Sequence, residues 1–377
     1  MKFLTLILFV SLGANASDYF DRFCGIDPEN LWLDVVLVVD NSNNMQKDDF
    51  SLVKTTINAL FGQGTRIGIN YDDPRSTRVA LITYNNQAIA AANLNKYQSF
   101  SELSDGVQTI LNDTINTSET YLSLALSKAS DVLEAGRSNN YRSNYKQMVI
   151  VFAASYQTID FMDPNVFADK LKSNNVSIAV VDFAKDTRLE PIASLHMYFR
   201  NEGQITENLS RAAFQVNCFC PQNWVKYHPY DGYYSGLCLQ VSDLPLSWVQ
   251  AKLTCQNMVR VGYLVTEFTK NKHEFVKSLV QTNTSHSVTD YHIGLTYING
   301  GWNWQQPAGQ EVVPLYQADQ EAILWNTGYP TAATVNTGAA SFIDDDGKAG
   351  WQNINVNTDK KRFVCERYTC DTDNYCP

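Results

Sequence analysis

The chain has 377 residues, of which 44% are hydrophobic and 18% are charged, and its formal net charge is −10 at pH 7. This composition suits folded domains and excludes a largely disordered chain, and the length suits two domains. The negative net charge argues against nucleic-acid binding, which depends on a basic surface.

The first 16 residues are typical of a secretory signal peptide. Lys2 is followed by an apolar run from Phe3 to Leu12 and then by Ala14-Asn15-Ala16, which fits a small-residue cleavage site. The run is far shorter than the about 20 residues that a membrane-spanning helix needs. We therefore expect a secreted, extracellular protein without a membrane anchor.

In an oxidising compartment the eight cysteines are expected to form disulfides. Cys218 and Cys220 are one residue apart and cannot comfortably bond each other, so we expect one to pair backward and the other forward. This places a domain boundary between them. N-glycosylation is predicted wherever the five sequon asparagines are exposed; these are Asn112, Asn116, Asn175, Asn208 and Asn283.

Before that boundary, apolar runs alternate with helical patterns. The runs cover 35–39, 78–84, 148–154 and 176–183. The run at 35–39 is apolar without alternation, as in strands that are buried on both faces. Residues 121–136 place leucine, alanine and valine on one helical face before a terminal glycine. The alternation predicts an α/β fold with a doubly wound parallel sheet, in which ligands bind beyond the carboxyl ends of the strands.

Residues 40–44, after the first predicted strand, all carry side-chain oxygens, and the alternate residues Asp40, Ser42 and Asn44 could turn three of them toward one point. Over 24–218 the chain resembles the von Willebrand factor type A domain, whose Asp-x-Ser-x-Ser motif at this place holds a metal ion that a partner's carboxylate completes. The resemblance implies Thr120 as a further ligand. It also implies that this domain binds an extracellular protein.

The same resemblance places Ala154 where the family has its final metal-site aspartate. Asp160 or Asp163 could supply that carboxylate, but the sequence places neither of them. With Asp40 as the single clear carboxylate, we expect Mg²⁺ binding to be weak or absent, because hard-cation affinity depends on oxygen ligands and charge. The alternative is a loop that keeps its shape without an ion.

After the boundary, two helical patterns precede a series of short aromatic segments. The segments are His292-Ile293-Gly294-Leu295, Trp302-Asn303-Trp304, Trp325 to Pro330, Gly350-Trp351-Gln352-Asn353 and Phe363-Val364-Cys365-Glu366. Their order and spacing resemble a C-type lectin domain over 220–367. The resemblance implies an α+β fold and a ligand site formed by two triplets.

The two triplets depart from the family pattern. The family's calcium-dependent sugar site uses Glu-Pro-Asn or Gln-Pro-Asp together with Trp-Asn-Asp, whereas this chain has Tyr329-Pro330-Thr331 and Trp351-Gln352-Asn353. Neither triplet keeps a carboxylate, so Ca²⁺ is not expected at the usual sugar site. The candidate ligand-binding residues are Tyr329, Thr331, Gln352 and Asn353.

Four disulfides are expected. Cys24 and Cys218 flank the first domain, and chain ends in compact domains are often close. Cys220 with Cys238 would close a hairpin, and Cys370 with Cys376 would close a C-terminal tail at 368–377. The lectin resemblance implies the pair Cys255 with Cys365.

Enzyme signatures are missing from the sequence: it has no His-Glu-x-x-His, no Gly-x-Ser-x-Gly and no phosphate-binding loop. We therefore interpret the chain as a non-enzymatic, secreted recognition or adhesion protein that binds glycans or glycoproteins. Its two resemblances together are similar to secreted lectin-like proteins of invertebrates, notably nematodes, which implies a role in innate defence. The alternative is an extracellular adhesion or matrix protein that binds protein and no sugar.

Overall fold

The computed structural model describes residues 21–376 except 71–72, 113–115, 138–141, 159–161, 230–234, 260, 284–288, 318–320 and 322. The predicted signal peptide lies outside the described residues. The chain divides into a first unit, residues 24–219 with 370–377, and a second unit, residues 220–369 with the segment up to Phe23. None of the helices in the described ranges is long and apolar enough to cross a membrane.

The first unit is a six-stranded sheet with helices. Its strands are β1 (Leu33–Asp40), β2 (Arg78–Tyr84), β3 (Ala88–Ala92), β4 (Lys146–Ala153), β5 (Val176–Asp182) and β6 (Tyr198–Arg200). Its helices are α1 (Lys47–Phe61), α2 (Phe100–Ile110), α3 (Leu122–Gly136), α4 (Pro164–Ser173) and α5 (Ile205–Val216). The strand order is β3-β2-β1-β4-β5-β6, and all neighbours are parallel except β2 and β3.

Strand β1 lies at the centre of two hydrophobic cores. Leu37 and Val39 belong to the core that includes residues of α1, α2 and α5, whereas Val36 and Val38 belong to the core that includes residues of α3 and α4. Successive side chains of a strand point to opposite faces, so a strand covered on both faces must be apolar at every position. The doubly wound fold expected from the sequence is therefore present.

The C-terminal residues 370–376 belong to the first unit. The sequence predicts a separate disulfide-closed tail at 368–377. The indole of Trp32 is fully buried, donates from Nε1 to the carbonyl of Asp371 at 3.1 Å, and lies 4.8 Å from the ring of Tyr375. Tyr145 and Phe219 complete this aromatic cluster. Burial of these large aromatic side chains stabilises the packing of the C-terminal segment against Trp32. The spacing of these residues along the sequence does not indicate this contact.

The second unit is built on a nine-stranded sheet. Its strands are β7 (Val225–Lys226), β8 (Leu237–Ser247), β9 (Tyr263–Leu264), β10 (Asp290–Ile298), β11 (Gly301–Trp304), β12 (Val313–Pro314), β13 (Thr337–Ile343), β14 (Ala349–Asn355) and β15 (Lys360–Tyr368). Two helices, α6 (Trp248–Met258) and α7 (Lys270–Asn283), accompany them. The main order is β12-β11-β10-β15-β8-β7, while β13 pairs with β10 and β14, and β9 pairs with β15.

The segment before Cys24 belongs to the second unit through a buried ion cluster. The ammonium of Lys272 is fully buried and lies 2.6 Å from Asp21 Oδ1 and 3.0 Å from Glu366 Oε1. Arg22 adds a hydrogen bond to the hydroxyl of Thr369 at 3.3 Å. A buried cation needs such partners, because leaving a charge unpaired in the interior is strongly destabilising.

The cysteines form the four pairs expected from the sequence. Each bond joins residues of a single unit. The pairs are Cys24–Cys218, Cys220–Cys238, Cys255–Cys365 and Cys370–Cys376.

Candidate functional site

The first candidate site lies where β1 ends. Asp40 is the last residue of the strand, and its Oδ1 accepts a hydrogen bond from the backbone N–H of Ser42 at 2.9 Å. The hydroxyl of Ser42 accepts from the backbone N–H of Asn44 at 3.2 Å. Asn44 is exposed and donates from Nδ2 to the carbonyl of Ser118 at 3.0 Å. The loop is therefore ordered by its own polar side chains.

Several side-chain oxygens at this edge of the sheet are buried without a hydrogen-bond partner among the described residues. They include Asp40 Oδ2, Thr120 Oγ1, the Tyr84 hydroxyl and the Ser123 hydroxyl. Tyr84 is the direct neighbour of Asp40 in β2, and Thr120 and Ser123 lie just before and within the first turn of α3. A buried polar atom without a hydrogen-bond partner destabilises the fold by about 1–3 kcal/mol. The site therefore keeps unsatisfied oxygen atoms of the kind that coordinate metal ions.

Burial dominates the electrostatics of Asp40. It raises the pKa of the carboxyl to about 6, although hydrogen bonds from Ser42 and from the backbone of Ala154 oppose the shift. Ala154 is buried at the end of β4, and its methyl group supplies no metal ligand. A carboxylate and its hydroxyl neighbours offer the oxygen ligands that a hard cation prefers. With a single carboxylate, the site has little negative charge to hold such a cation.

Of the two alternative acids, Asp163 is described, and its carboxylate is engaged in a helix cap. Asp163 caps α4, and its carboxylate accepts from the backbone N–H of Asn165 at 2.9 Å. Asp160 lies outside the described residues. Within the described ranges, no cluster of three or more Asp, Glu, His or Cys side chains is arranged to hold a metal ion.

The second candidate site lies in the second unit, where the two sequence triplets meet. The backbone N–H of Thr331 donates to Asn353 Oδ1 at 2.9 Å. The Thr331 hydroxyl lies 3.1 Å from the same oxygen and 2.9 Å from Asn353 Nδ2. The peptide bond between Tyr329 and Pro330 is cis. The two residues that would face a cation thus bond each other.

Tyr329 and Gln352 differ from that bonded pair. Tyr329 is half-buried, which leaves part of its ring accessible. Gln352 is half-buried on β14 and precedes Asn353, and successive side chains of a strand alternate between its faces. Thr331 is exposed, and Tyr329, Gln352 and Asn353 are each half-buried, so part of every one of these residues is accessible.

A buried network anchors this surface from below. Trp351 is fully buried, and its Nε1 donates to Glu267 Oε2 at 2.7 Å. Glu267 also accepts from the Tyr291 hydroxyl at 3.0 Å and lies 2.7 Å from His273 Nδ1. Sequence analysis missed Glu267, because 84 residues separate it from Trp351. The available signal was a glutamate within the largely apolar stretch 263–268.

The half-buried Trp325 joins the loop to that network. The backbone N–H of Trp351 donates to the carbonyl of Leu324 at 2.7 Å, and that of Asn326 donates to the carbonyl of Trp351 at 2.9 Å. The ring of Trp325 lies 5.8 Å from that of Trp351, edge to face. The chain just before Tyr329 is therefore held by a rigid aromatic contact.

The predicted glycosylation asparagines differ in exposure. Asn112, Asn116 and Asn175 are exposed, whereas Asn208 is half-buried. Asn283 is the last residue of α7, and its side chain lies outside what the structure describes. Exposure leaves the first three available for a glycan.

Comparison with known proteins identifies both parts of the chain. The von Willebrand factor type A domain model matches residues 34–210, and the lectin C-type domain model matches residues 244–367. C-type lectin domain-containing protein 160 of Caenorhabditis elegans is 24% identical over 95% of this chain, and this chain spans 56% of that protein's length.

Two further similarities each concern one part of the chain. Human lithostathine-1-beta is 30% identical over 147 residues, which cover 39% of this chain and 77% of that protein. A structure of proximal thread matrix protein 1 from the mussel byssus, described with a zinc-occupied MIDAS motif, is 17% identical with a TM-score of 0.41. That match covers 52% of this chain and 48% of the mussel protein.

Proposed function

This chain belongs to the C-type lectin domain family and carries a von Willebrand factor type A domain before its lectin domain, and we propose that it is a secreted recognition protein that binds glycans or glycoproteins without calcium. Both domain families are non-enzymatic, and the pair supports a lectin or adhesion role. The proposal includes a role in innate defence, which the similarity to secreted invertebrate lectin-like proteins implies.

The hydrogen-bonded pair Thr331–Asn353 is the observation that supports ligand binding without calcium. Its three polar contacts of 2.9–3.1 Å satisfy the amide and hydroxyl groups that a calcium ion would otherwise recruit. Ca²⁺ needs six to eight oxygens, and carboxylate charge sets its affinity. Neutral groups that already bond each other compete poorly with water for a divalent ion, whereas the ring of Tyr329 can stack on a sugar face.

The test is a glycan array probed with the disulfide-intact protein, once in chelator and once in millimolar Ca²⁺. We expect the same glycans to be bound in both conditions. The variant Tyr329→Ala should lose binding to those glycans, while Tyr316→Ala, which removes an exposed tyrosine elsewhere in the same unit, should retain it. Binding that disappears in chelator and returns with Ca²⁺ would contradict the proposal.

For the first domain, we propose a weak Mg²⁺ site that uses Asp40, Ser42, Asn44 and Thr120 when it is occupied. The unpaired Asp40 Oδ2 and Thr120 Oγ1 support it. A bound cation would offer an open coordination position to the carboxylate of an extracellular protein partner. Such contacts with protein, without any sugar, are the alternative function, and an array without glycan binding would favour it.

A further inference from the structure

A cavity of about 430 Å³ in the second unit is separate from the site around Thr331 and Asn353. Residues of α6, β10 and the segment after β11 line it, and none of the four candidate ligand residues is among them. Its volume falls within the range of about 300–1,000 Å³ that is usual for ligand pockets. Neither sequence triplet of the lectin domain contributes to it.

Gln305 gives this cavity a polar side chain. The residue is only 6% exposed, and its side chain lines the cavity. Gln256 and Gln306 add further amides to the wall. An amide donates and accepts at once, so these side chains can bond neighbouring hydroxyl groups of one ligand.

Lys252 gives the cavity its charge. Among the described residues of the wall, it is the one that is charged, and no carboxylate in the described chain forms an ion pair with it. Its ammonium lies 5.8 Å from the centre of the Trp248 ring. Burial lowers the pKa of Lys252. A half-buried cation without an anion favours a ligand that brings one, since charge-assisted hydrogen bonds are the strong ones.

We propose that this cavity is a calcium-independent site for an acidic sugar residue, with the sugar carboxylate on Lys252 and the ring hydroxyls on Gln256 and Gln305. Pro307 and Val335 of the same wall offer apolar surface to the C–H face of the ring. The inference rests on the proposed glycan-binding function and adds a second site to it.

The experiment measures saturation-transfer NMR signals of glucuronate and of glucose with the full, disulfide-intact protein in chelator. These two probes differ by one carboxylate, so the comparison isolates the contribution of Lys252. We expect glucuronate to bind at least about tenfold more tightly than glucose, because its carboxylate adds a charge-assisted hydrogen bond.

Variants then locate the site. Lys252→Met should abolish the preference for glucuronate, whereas Lys270→Met, which removes an exposed lysine at the start of α7, should keep it. Gln256→Glu places a carboxylate in the wall at a half-exposed position and should also weaken glucuronate binding at least about tenfold. It serves as the second variant, because changes at the buried Gln305 risk misfolding.

The outcomes separate this inference from the proposed function. Glucuronate binding that is lost in Tyr329→Ala but unchanged in Lys252→Met would overturn the cavity site and leave glycan recognition at the triplets intact. Equal binding of glucuronate and glucose would also overturn it. Failure of the unmodified protein to bind any glycan would overturn both proposals.

Discussion

At the scale of single residues, the burial of the Asp40 carboxylate is energetically unfavourable. Its carboxylate is fully buried, one oxygen is bonded to Ser42, and the other has no partner among the described residues. Tyr84 stands beside it with an unpaired hydroxyl, and proximity to Asp40 adds to the burial that raises the pKa of Tyr84. A bound cation would therefore stabilise this site more than the protein's own groups do.

We predict that Asp40→Asn stabilises the metal-free first unit at neutral pH. A carboxyl whose pKa rises from 3.8 to about 6 on folding contributes stability below pH 3.8 and loses it as pH rises through 6. The variant should therefore match the parent near pH 3.5 and exceed it by about 3 kcal/mol above pH 7. Denaturant unfolding in chelator measures this difference. Asp131→Asn, at an exposed position of α3, should show no comparable gain.

We also predict that Ala154→Asp strengthens Mg²⁺ binding at the end of β1 by at least about tenfold, because a second carboxylate adds charge where the site has only one. Titration calorimetry with MgCl₂ measures the change. Ser155→Asp adds the same charge one residue further along and is the matched control, which should have a smaller effect. Micromolar Mg²⁺ affinity in the unmodified protein would contradict the weak site.

At the scale of elements, two buried histidines of the second unit have pKa values that are shifted in opposite directions. His273 on α7 loses solvation on burial, but the charge and hydrogen bond of Glu267 outweigh that loss and raise its pKa. Among the described residues, His292 on β10 forms no ion pair with a carboxylate. Burial lowers its pKa to about 4, although its Nε2 lies 2.9 Å from the carbonyl of Leu246. The charge of Lys361 adds to the lowering of this pKa, whereas that of Asp290 opposes it. Strand β10 therefore requires a neutral ring where α7 favours a charged one.

We predict that His292 makes the second unit sensitive to acid. Between pH 6.5 and about 4 the unfolded chain binds a proton that the folded ring excludes, so stability falls as pH falls through this window. The loss attributable to His292 is about 3 kcal/mol. His292→Gln should remove that part of the slope in unfolding measured at several pH values. His196→Asn, at an exposed position with φ of 61° that asparagine tolerates, should leave the slope unchanged.

At the scale of the whole molecule, the disulfides differ greatly in the length of chain that they close. Cys24–Cys218 spans 194 residues, whereas Cys370–Cys376 spans 6. Both belong to the first unit, so they constrain the unfolded state of the same fold to very different degrees. In the chain-entropy model, the longer loop restricts the unfolded ensemble more.

We predict that replacing Cys24 and Cys218 by alanine lowers the free energy of unfolding of the first unit by about 5 kcal/mol. Replacing Cys370 and Cys376 should cost about 2 kcal/mol by the same relation. Denaturant unfolding of the two double variants compares them directly. An equal loss in both would contradict the loop-length argument, and peptide mapping that joined Cys218 to Cys238 would contradict the pairing itself.

The sequence by itself determined the features that depend on local pattern. The apolar run without alternation at 35–39 indicated a strand covered on both faces, because such a strand offers no position to solvent. The spacing of Cys218 and Cys220 indicated that their bonds go in opposite directions. The triplets at 329–331 and 351–353 already lacked carboxylates, so the expectation about calcium needed no coordinates.

The tertiary structure alone decided which distant groups meet. The unpaired hydroxyls beside Asp40, the contact of Glu267 with Trp351, and the cavity that Lys252 and Gln305 share each depend on residues far apart in the chain. The packing of Tyr375 against Trp32 is of the same kind. Burial and hydrogen-bond satisfaction are properties of the packed interior, and the periodicity of a sequence reports only which face of an element is apolar.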